Sequence, residues 1–417
     1  MFERHFNERE SRVDWSMWLA ILGLILIGTA FIYSATSVNE TMSLWQRYRD
    51  SNLRSFLGWL LRQSYSKQVL AYMLGLVAAG VFCLFDYHRV ARWSLVVYWI
   101  TIILLIVVLI EGMGGTKMVH GAQRWIDLGF FQFQPSEFAK LSFLLVYANF
   151  LSRPVEELRL PSVFFKALGM TILPFLLILK EPDLGSALVL LPISLVMMFV
   201  AGVPLSYLKR LLGGGGLFLG LLVVDLLFAP SNWRIPLEEY QRERLLVYFG
   251  RDFASPNATA AERQRARHRQ RDKSQNSEQA LISVGSGGLT GKGWRQGTQN
   301  ALGYLPRSVA HNDFIFSVIA EEKGFLGSVV ILTLYTVILF TGIKIAGQAR
   351  DRLGRLLAVG VVTMLFGHVF INIGMNIRIM PVTGIPLPLL SYGGTSVLCS
   401  LIAAGILQNI YIYRKSY

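Results

Sequence analysis

Ten stretches of this 417-residue chain are candidates for crossing a lipid bilayer, and nothing else in the sequence restricts the fold so tightly. A spanning helix needs roughly 17–25 mostly apolar residues. The runs are 15–35, 67–85, 93–110, 138–152, 163–180, 184–203, 209–228, 327–347, 355–376 and 393–413. The fourth is short and carries Lys140 near its start, and the fifth and sixth are separated only by a tight turn at Glu181-Pro182-Asp183. In hydrocarbon every backbone N–H and C=O must find its partner within the protein, so such runs are read as helices. With 53% hydrophobic and 16% charged residues, against about 25% charged in soluble domains, the chain is neither an ordinary soluble enzyme nor a disordered one. The expected fold is an all-α polytopic membrane protein with about ten transmembrane helices in one domain, residues 1–417. The polar first 14 residues and the long run after them do not make a secretory signal. Cys83 and Cys399 both lie in apolar runs, which suggests neither a disulfide framework nor a thiolate metal site.

Lys and Arg in the short connections orient the chain. With the N-terminus on the cytoplasmic side, the inner segments hold 16 basic residues, from Arg4, Arg9 and Arg12 to Arg414 and Lys415. The short outer connections after runs three, five and nine hold only Lys117, Arg124, Lys180 and Arg378. Segment 36–66, with Arg47, Arg49, Arg54 and Arg62, is a partial counterexample. An even number of spans puts both termini in the cytoplasm. Residues 229–312 form a large extracytoplasmic loop between helices seven and eight, 84 residues with 13 Lys and Arg. Long loops cross the membrane largely regardless of charge, so this one does not overturn the topology. Within it, 258–276 (ATAAERQRARHRQRDKSQN) reads as an exposed helix or a disordered insert. Such a run is either a solvated face or a contact for anionic lipid or cell-wall polymer. It should be dispensable for chemistry, since its composition cannot build a packed core.

Two soluble-enzyme motifs fail on inspection. The run Gly285 to Gly293 resembles a phosphate loop but has Ser286 where Gly is needed and Gly293 where Ser or Thr is needed. The six histidines are scattered, which leaves a zinc site unsupported.

Four polar groups at the outer ends of the spans remain, and charges near the bilayer core default to functional candidates. The first is GAQRWI (121–126) with QPSEFAK (134–140). Pro135 and Ser136 make a good helix start, and Glu137 and Lys140, three apart, share a helical face and can pair. That is either a stabilised helix entry or, with Arg124, a cationic seat for an anionic head group. The second is EPDLGSA (181–187), where two carboxylates exceed what a turn needs. The third comprises GKGWRQGTQ (291–299), Leu305-Pro306, HNDFIF (311–316) and Glu321-Glu322. There Asp313 is either an N-cap or a general base, since a carboxylate can deprotonate an attacking sugar hydroxyl. The fourth is NIGMN (372–376) with PVTGIPLPLLSYGGTS (381–396). Three prolines and a Gly pair imply non-helical backbone at membrane depth, tolerated only where protein or a watery cavity shelters it. A cavity of this kind fits a transporter as well as an enzyme.

Together GAQRWIDLGFFQFQPSEFAK, EPDLGSA, GSGGLTGKGWRQGTQ, DFIFSVIAEEKGFLG, NIGMN and PVTGIPLPLLSYGGTS resemble the SEDS family (shape, elongation, division and sporulation) from the first span to the tenth. The Val-Thr-Gly-Ile-Pro-Leu-Pro stretch is similar to the elongation-type members, the division type usually having Lys there. The resemblance implies a peptidoglycan glycosyltransferase of the bacterial cytoplasmic membrane. Such an enzyme polymerises lipid II (disaccharide-pentapeptide on undecaprenyl pyrophosphate) during cell elongation, beside a class B penicillin-binding protein transpeptidase and other elongation-complex membrane proteins. No nucleic-acid partner is implied. The family's essential loop acid maps to Asp313, and its PSE–K pair to Glu137 and Lys140 in the central cavity. Arg124, Asp183 and Gln299 fall on family motifs as candidate substrate-binding residues. Transfer from an α-pyrophosphate to a β1,4 link is an inverting displacement. It needs a base on the acceptor 4-hydroxyl, here Asp313, and positive charge on the departing pyrophosphate, here Arg124 and Lys140, with a divalent cation (Mg or Mn) as an open expectation. Departures are Asn312 for the usual Thr, Gln279-Ala-Leu-Ile282 for Ser-Lys-Ile-Ala, Arg378 at a commonly small or apolar position, and the arginine-rich insert. A lipid II flippase and a non-catalytic scaffold for the penicillin-binding protein are the alternatives. Confinement of the polar groups to the outer half favours the enzyme.

Overall fold

A computed structural model describes residues 13–37, 48, 52–110, 116–119, 122–127, 132–228, 239–251, 253, 259–305 and 307–414. Arg4, Arg9, Arg12, Arg47, Arg49 and Lys415, used above to orient the chain, lie outside the described residues, as do residues 229–238 and 258 of the loop and Pro306.

Each of the ten apolar runs is helical. The first seven are α1 (Trp15–Ser37), α2 (Ser64–Leu84), α3 (Ser94–Leu109), α4 (Pro135–Leu151), α5 (Pro161–Lys180), α6 (Leu184–Ala201) and α7 (Leu205–Phe228). The large loop contributes α8 (Glu239–Tyr248) and α9 (Ala260–Ser286), and α10 (Ile315–Gln348), α11 (Arg352–Asn376) and α12 (Gly394–Tyr413) complete the bundle. Their ends follow from local chemistry. Pro135 opens α4, where a missing N–H costs nothing, and Asp351 caps α11 by accepting from Leu353 N and Gly354 N. Helices α11 and α12 are largely enclosed, whereas α7 points Leu212, Leu217, Phe218 and Leu221 outward. Lipid tails are as apolar as leucine, so packing and polar contacts decide which helices pair. Asn409 of α12 donates to Phe82 O and Phe85 O at the end of α2 and accepts from Tyr87 N at 3.2 Å.

One element departs from the all-helical expectation. Between α3 and α4 the chain forms a three-stranded antiparallel sheet, β1 (Thr116–Val119), β2 (Ala122–Asp127) and β3 (Gln132–Phe133), in the order β1-β2-β3. Strands this short carry too few residues to display a period of two.

Helix α10 is broken at Gly324, whose φ of 66° and ψ of −160° no helix contains. The break leaves backbone groups without helical partners, and the glycine run of the loop supplies them. Phe325 N and Leu326 N donate to Gly288 O and Leu289 O at 2.8 and 3.1 Å. Glu321 O and Glu322 O accept from Lys292 N and Gly293 N, each at 3.0 Å. The run that resembles a phosphate loop is therefore a backbone splice. Its glycines allow the approach: a Cβ at Gly287 would lie 1.9 Å from Ala320 O. Gly287→Ala should accordingly destabilise the protein by about 3 kcal/mol or more, as overpacking against rigid backbone does. A thermal-unfolding curve in detergent checks this, and an unchanged midpoint would mean that the splice is loose.

Residues 260–276 of the insert are the first half of α9, so the helical alternative holds and the disordered one does not. Arg263, Arg265, Arg267, Arg269 and Arg271 are exposed there, while Ser277, Ala280 and Ser283 of the second half are buried.

The non-helical stretch 381–391 is sheltered by protein, as its prolines require. Its carbonyls accept from Asn372 Nδ2 (Ile385 O, 2.7 Å), Tyr72 Oη (Leu389 O, 2.7 Å), Gln68 Nε2 (Ser391 O, 3.0 Å) and Tyr335 Oη (Pro388 O).

Candidate active site

Asp313 sits in the turn that leads into α10. The cap of that helix is Phe314, so Asp313 stands one residue before the cap. The N-cap alternative is thereby set aside. The structure holds its backbone from two sides. Asn372 Nδ2 and Asn376 Nδ2, one turn apart on α11, donate to Asp313 O at 3.0 and 3.1 Å. Ser391 Oγ donates to Asn312 O at 2.6 Å and Tyr392 N to His311 O at 2.9 Å. Ser317 Oγ holds Asn376 Oδ1 at 2.6 Å. The third and fourth polar groups of the sequence thus form one clamp. Asp313 is partly exposed, and its Oδ2 lies 3.6 Å from where a Cβ of Gly384 would be. At φ 76° Gly384 holds a conformation that side chains resist.

The first and second groups form another cluster. Asp183 caps α6, accepting from Ser186 N at 3.1 Å, and its Oδ2 accepts from Ser136 Oγ at 2.9 Å and Gln134 Nε2 at 3.1 Å. That ties the start of α4 to the turn between α5 and α6. Arg124 on β2 donates to Glu181 O at 2.9 Å and to Pro182 O. The two clusters meet at 383–385. A Cβ at Gly185 would lie 2.3 Å from Ile385 Cγ1 and 3.2 Å from Thr383 O, while Gly384 between them faces Asp313.

Lys140 Nζ and Glu137 Oε1 pair at 2.7 Å, as their spacing implies. No local pattern marks the third member, His368 of α11, whose Nε2 lies 2.7 Å from Lys140 Nζ. Its Nδ1 lies 2.7 Å from Met364 O, which can only accept, so Nδ1 carries the proton and Nε2 accepts from the ammonium. A lone histidine in an apolar run acquires this meaning only once α4 and α11 are packed. Lys140 is 1% exposed and Glu137 3%. Neither side chain is open to solvent in this structure. Enclosure likewise makes Asp183 a buried cap, and Arg124 is committed to the turn carbonyls. Gln299 is attached to α10, its N donating to Glu321 Oε1 at 3.0 Å beside Lys292 Nζ at 2.6 Å, and its own Oε1 is buried without a hydrogen bond.

Glu181 is the second residue that the sequence understates. It is enclosed, and neither carboxylate oxygen has a hydrogen-bond partner. Burial first, and then the charge of Asp183, push its carboxyl up to about 9 against the opposing pull of Arg124. The group therefore keeps its proton at neutral pH. An acid protonated when folded but ionised when unfolded favours the fold below its ordinary value, and that contribution is lost as pH rises from there through the folded value. The unfolding temperature of the wild type should thus fall, relative to Glu181→Gln, as pH rises from about 4.5 to about 9. Parallel curves would show that Glu181 is ionised throughout.

Residues 14–416 match the family model FTSW_RODA_SPOVE, described as cell cycle protein. The chain is 36% identical over 403 residues to the peptidoglycan glycosyltransferase MrdB of Escherichia coli K12, covering 97% of this chain and 94% of that protein. It is 32% identical over 462 residues to the peptidoglycan glycosyltransferase RodA of Treponema pallidum, covering 96% and 98%. Its fold is similar to a chain of a peptidoglycan synthase complex that coordinates polymerization and crosslinking, with TM-score 0.72 and 27% identity over 97% of this chain and 99% of that one. The chain belongs to the FtsW/RodA/SpoVE family, and is a multi-pass bacterial membrane protein with peptidoglycan glycosyltransferase activity.

Proposed function

We propose that this chain extends glycan strands from lipid II during cell elongation, with Asp313 as the general base. In the step, the Asp313 carboxylate takes the proton of the acceptor 4-hydroxyl as that oxygen bonds to C1 of the donor MurNAc. The bond from C1 to the pyrophosphate breaks, C1 inverts, and undecaprenyl pyrophosphate leaves with the electron pair. The observation that carries this reading is the clamp on residues 311–313. Two asparagines, a serine and a backbone N–H fix the peptide on which Asp313 stands and leave its partly exposed carboxylate beside Gly384. Preorganisation of this kind is what base catalysis needs. Glu137, Lys140, His368 and Asp183 act by holding α4, α6 and α11 around that clamp.

A divalent cation is proposed only as one carried in by the pyrophosphate. Among the described residues no three His, Cys, Asp or Glu side chains group to hold a metal, and Mg²⁺ is commonly bound through one or two carboxylates plus substrate phosphates. No step is assigned to it. A class B penicillin-binding protein and other elongation-complex membrane proteins are the proposed partners, and both termini are placed in the cytoplasm from the distribution of Lys and Arg.

Purified full-length protein in nanodiscs, given labelled lipid II, tests the reading. A ladder of glycan polymer supports it. Movement of lipid II across the bilayer without polymer would mean a transporter, and neither outcome without a penicillin-binding protein would mean a scaffold.

A further inference from the structure

A cleft lies between α8 and the segment that follows α11. Arg244, Val247 and Tyr248 line one side, and Arg378, Met380 and Val382 the other. The two sides are joined by real contacts, since Arg244 Nη1 donates to Thr383 O at 3.1 Å and Tyr248 Oη to Ile379 O at 2.8 Å. Thr383 precedes Gly384, which faces the Asp313 carboxylate. The cleft and Asp313 therefore flank the same short stretch of backbone.

Arg378 is an unexpected residue for its position. Helix α11 ends in a Schellman turn, with Ile379 N donating to Gly374 O at 2.8 Å and Arg378 N to Met375 O at 3.3 Å. Arg378 occupies the left-handed position of that turn at φ 59°, where glycine is the unstrained choice. Its guanidinium does not go into the packing. It is 36% exposed, and Nη1 lies 3.9 Å from Oε1 of a half-exposed Glu278, too long for a strong pair. By contrast Lys140 is enclosed and Arg124 is committed to backbone carbonyls.

We propose that this cleft is an oxyanion seat for the lipid-linked glycopeptide, with Arg378 as the residue that grips the anion and Glu278 as the counter-ion that the anion displaces. A guanidinium offers a planar fork to phosphate or carboxylate oxygens, and Val247, Met380 and Val382 give the cleft apolar walls beside it. Two parts of the substrate carry such oxygens, the diphosphate and the carboxylates of the stem peptide. The proposal rests on the Asp313 face being the reaction face, but its test reads binding rather than turnover, so failure of the Asp313 assignment would not imitate failure here.

The test uses full-length protein in nanodiscs with two unreactive probes, undecaprenyl diphosphate and the soluble disaccharide-pentapeptide. Arg378→Gly should weaken binding of one probe by about tenfold or more, while the unfolding temperature stays level or rises, because glycine suits the turn. Loss for undecaprenyl diphosphate identifies the diphosphate as the ligand, and loss for the disaccharide-pentapeptide identifies the carboxylates. Glu278→Gln should tighten binding of that same probe by removing the competing anion. Should Arg378→Gly fold poorly, Arg378→Gln removes the charge and keeps the Cβ. The proposal is overturned if the wild type binds neither probe, or if Arg378 variants bind both within twofold of wild type. It also fails if Glu278→Gln weakens binding as Arg378→Gly does, the mark of a structural tie.

Discussion

Asp313→Asn should abolish glycan polymerisation while the protein stays folded. The substitution keeps the size and polarity of the side chain and leaves the clamp intact, since Asn372, Asn376 and Ser391 hold main-chain carbonyls rather than the carboxylate. What is lost is the proton acceptor. General base catalysis contributes about 10²–10⁴-fold, so polymer formation from labelled lipid II should drop by at least about a hundredfold at an unchanged unfolding temperature. Polymerisation at more than half the wild-type rate would remove Asp313 from the chemistry. A parallel variant separates base from frame. Asn376→Leu withdraws one donor from Asp313 O and strands Ser317 Oγ, and should lower both rate and stability, by about 1–3 kcal/mol for the stability.

The largest effect on stability should come from Lys140. In Lys140→Met the Glu137 carboxylate and His368 Nε2 both lose the group that satisfies them, in a site with almost no exposure. Breaking a buried pair from one side costs about 3–5 kcal/mol, much of it the penalty of the charge left behind. Glu137→Gln combined with Lys140→Met removes both charges and should recover a large part of that loss. A double-mutant cycle on unfolding in detergent should thus show coupling above about 1 kcal/mol, and additivity within about 0.5 kcal/mol would mean that the two groups do not interact. His368→Phe should cost less, because it removes one neutral acceptor and no charge.

Patterning made much of this legible. Helices appear wherever the apolar runs stand, and eight of those described are long and apolar enough to cross a bilayer, because run length and the backbone's need for internal hydrogen bonds leave no other structure in lipid. Glu137 and Lys140 pair because i,i+3 spacing on a helix brings them together. The prolines between 381 and 388 announce irregular backbone, and the structure shows it sheltered. Resemblance, rather than periodicity, singled out Asp313, since local chemistry alone read it equally well as a cap.

Other features depend on contacts between residues far apart in the chain. His368 lies 228 positions from Lys140, and no local pattern marks it as the second acceptor for that ammonium. The run Gly285 to Gly293 reads locally as a failed phosphate loop. It becomes a splice only when it lies against the break at Gly324, where the carbonyls and N–H groups it satisfies are exposed. Lys140 and Arg124 look in sequence like a cationic seat, yet folding encloses one and commits the other to carbonyls. Arg378 looks like a departure until the Schellman turn gives it a left-handed backbone and a cleft to face. Run length and composition settled the architecture by themselves, because the bilayer imposes one solution on each span. Which polar groups meet, and which charges remain reachable, was decided by tertiary packing, since burial and partnership are properties of a residue's surroundings and not of its neighbours in sequence.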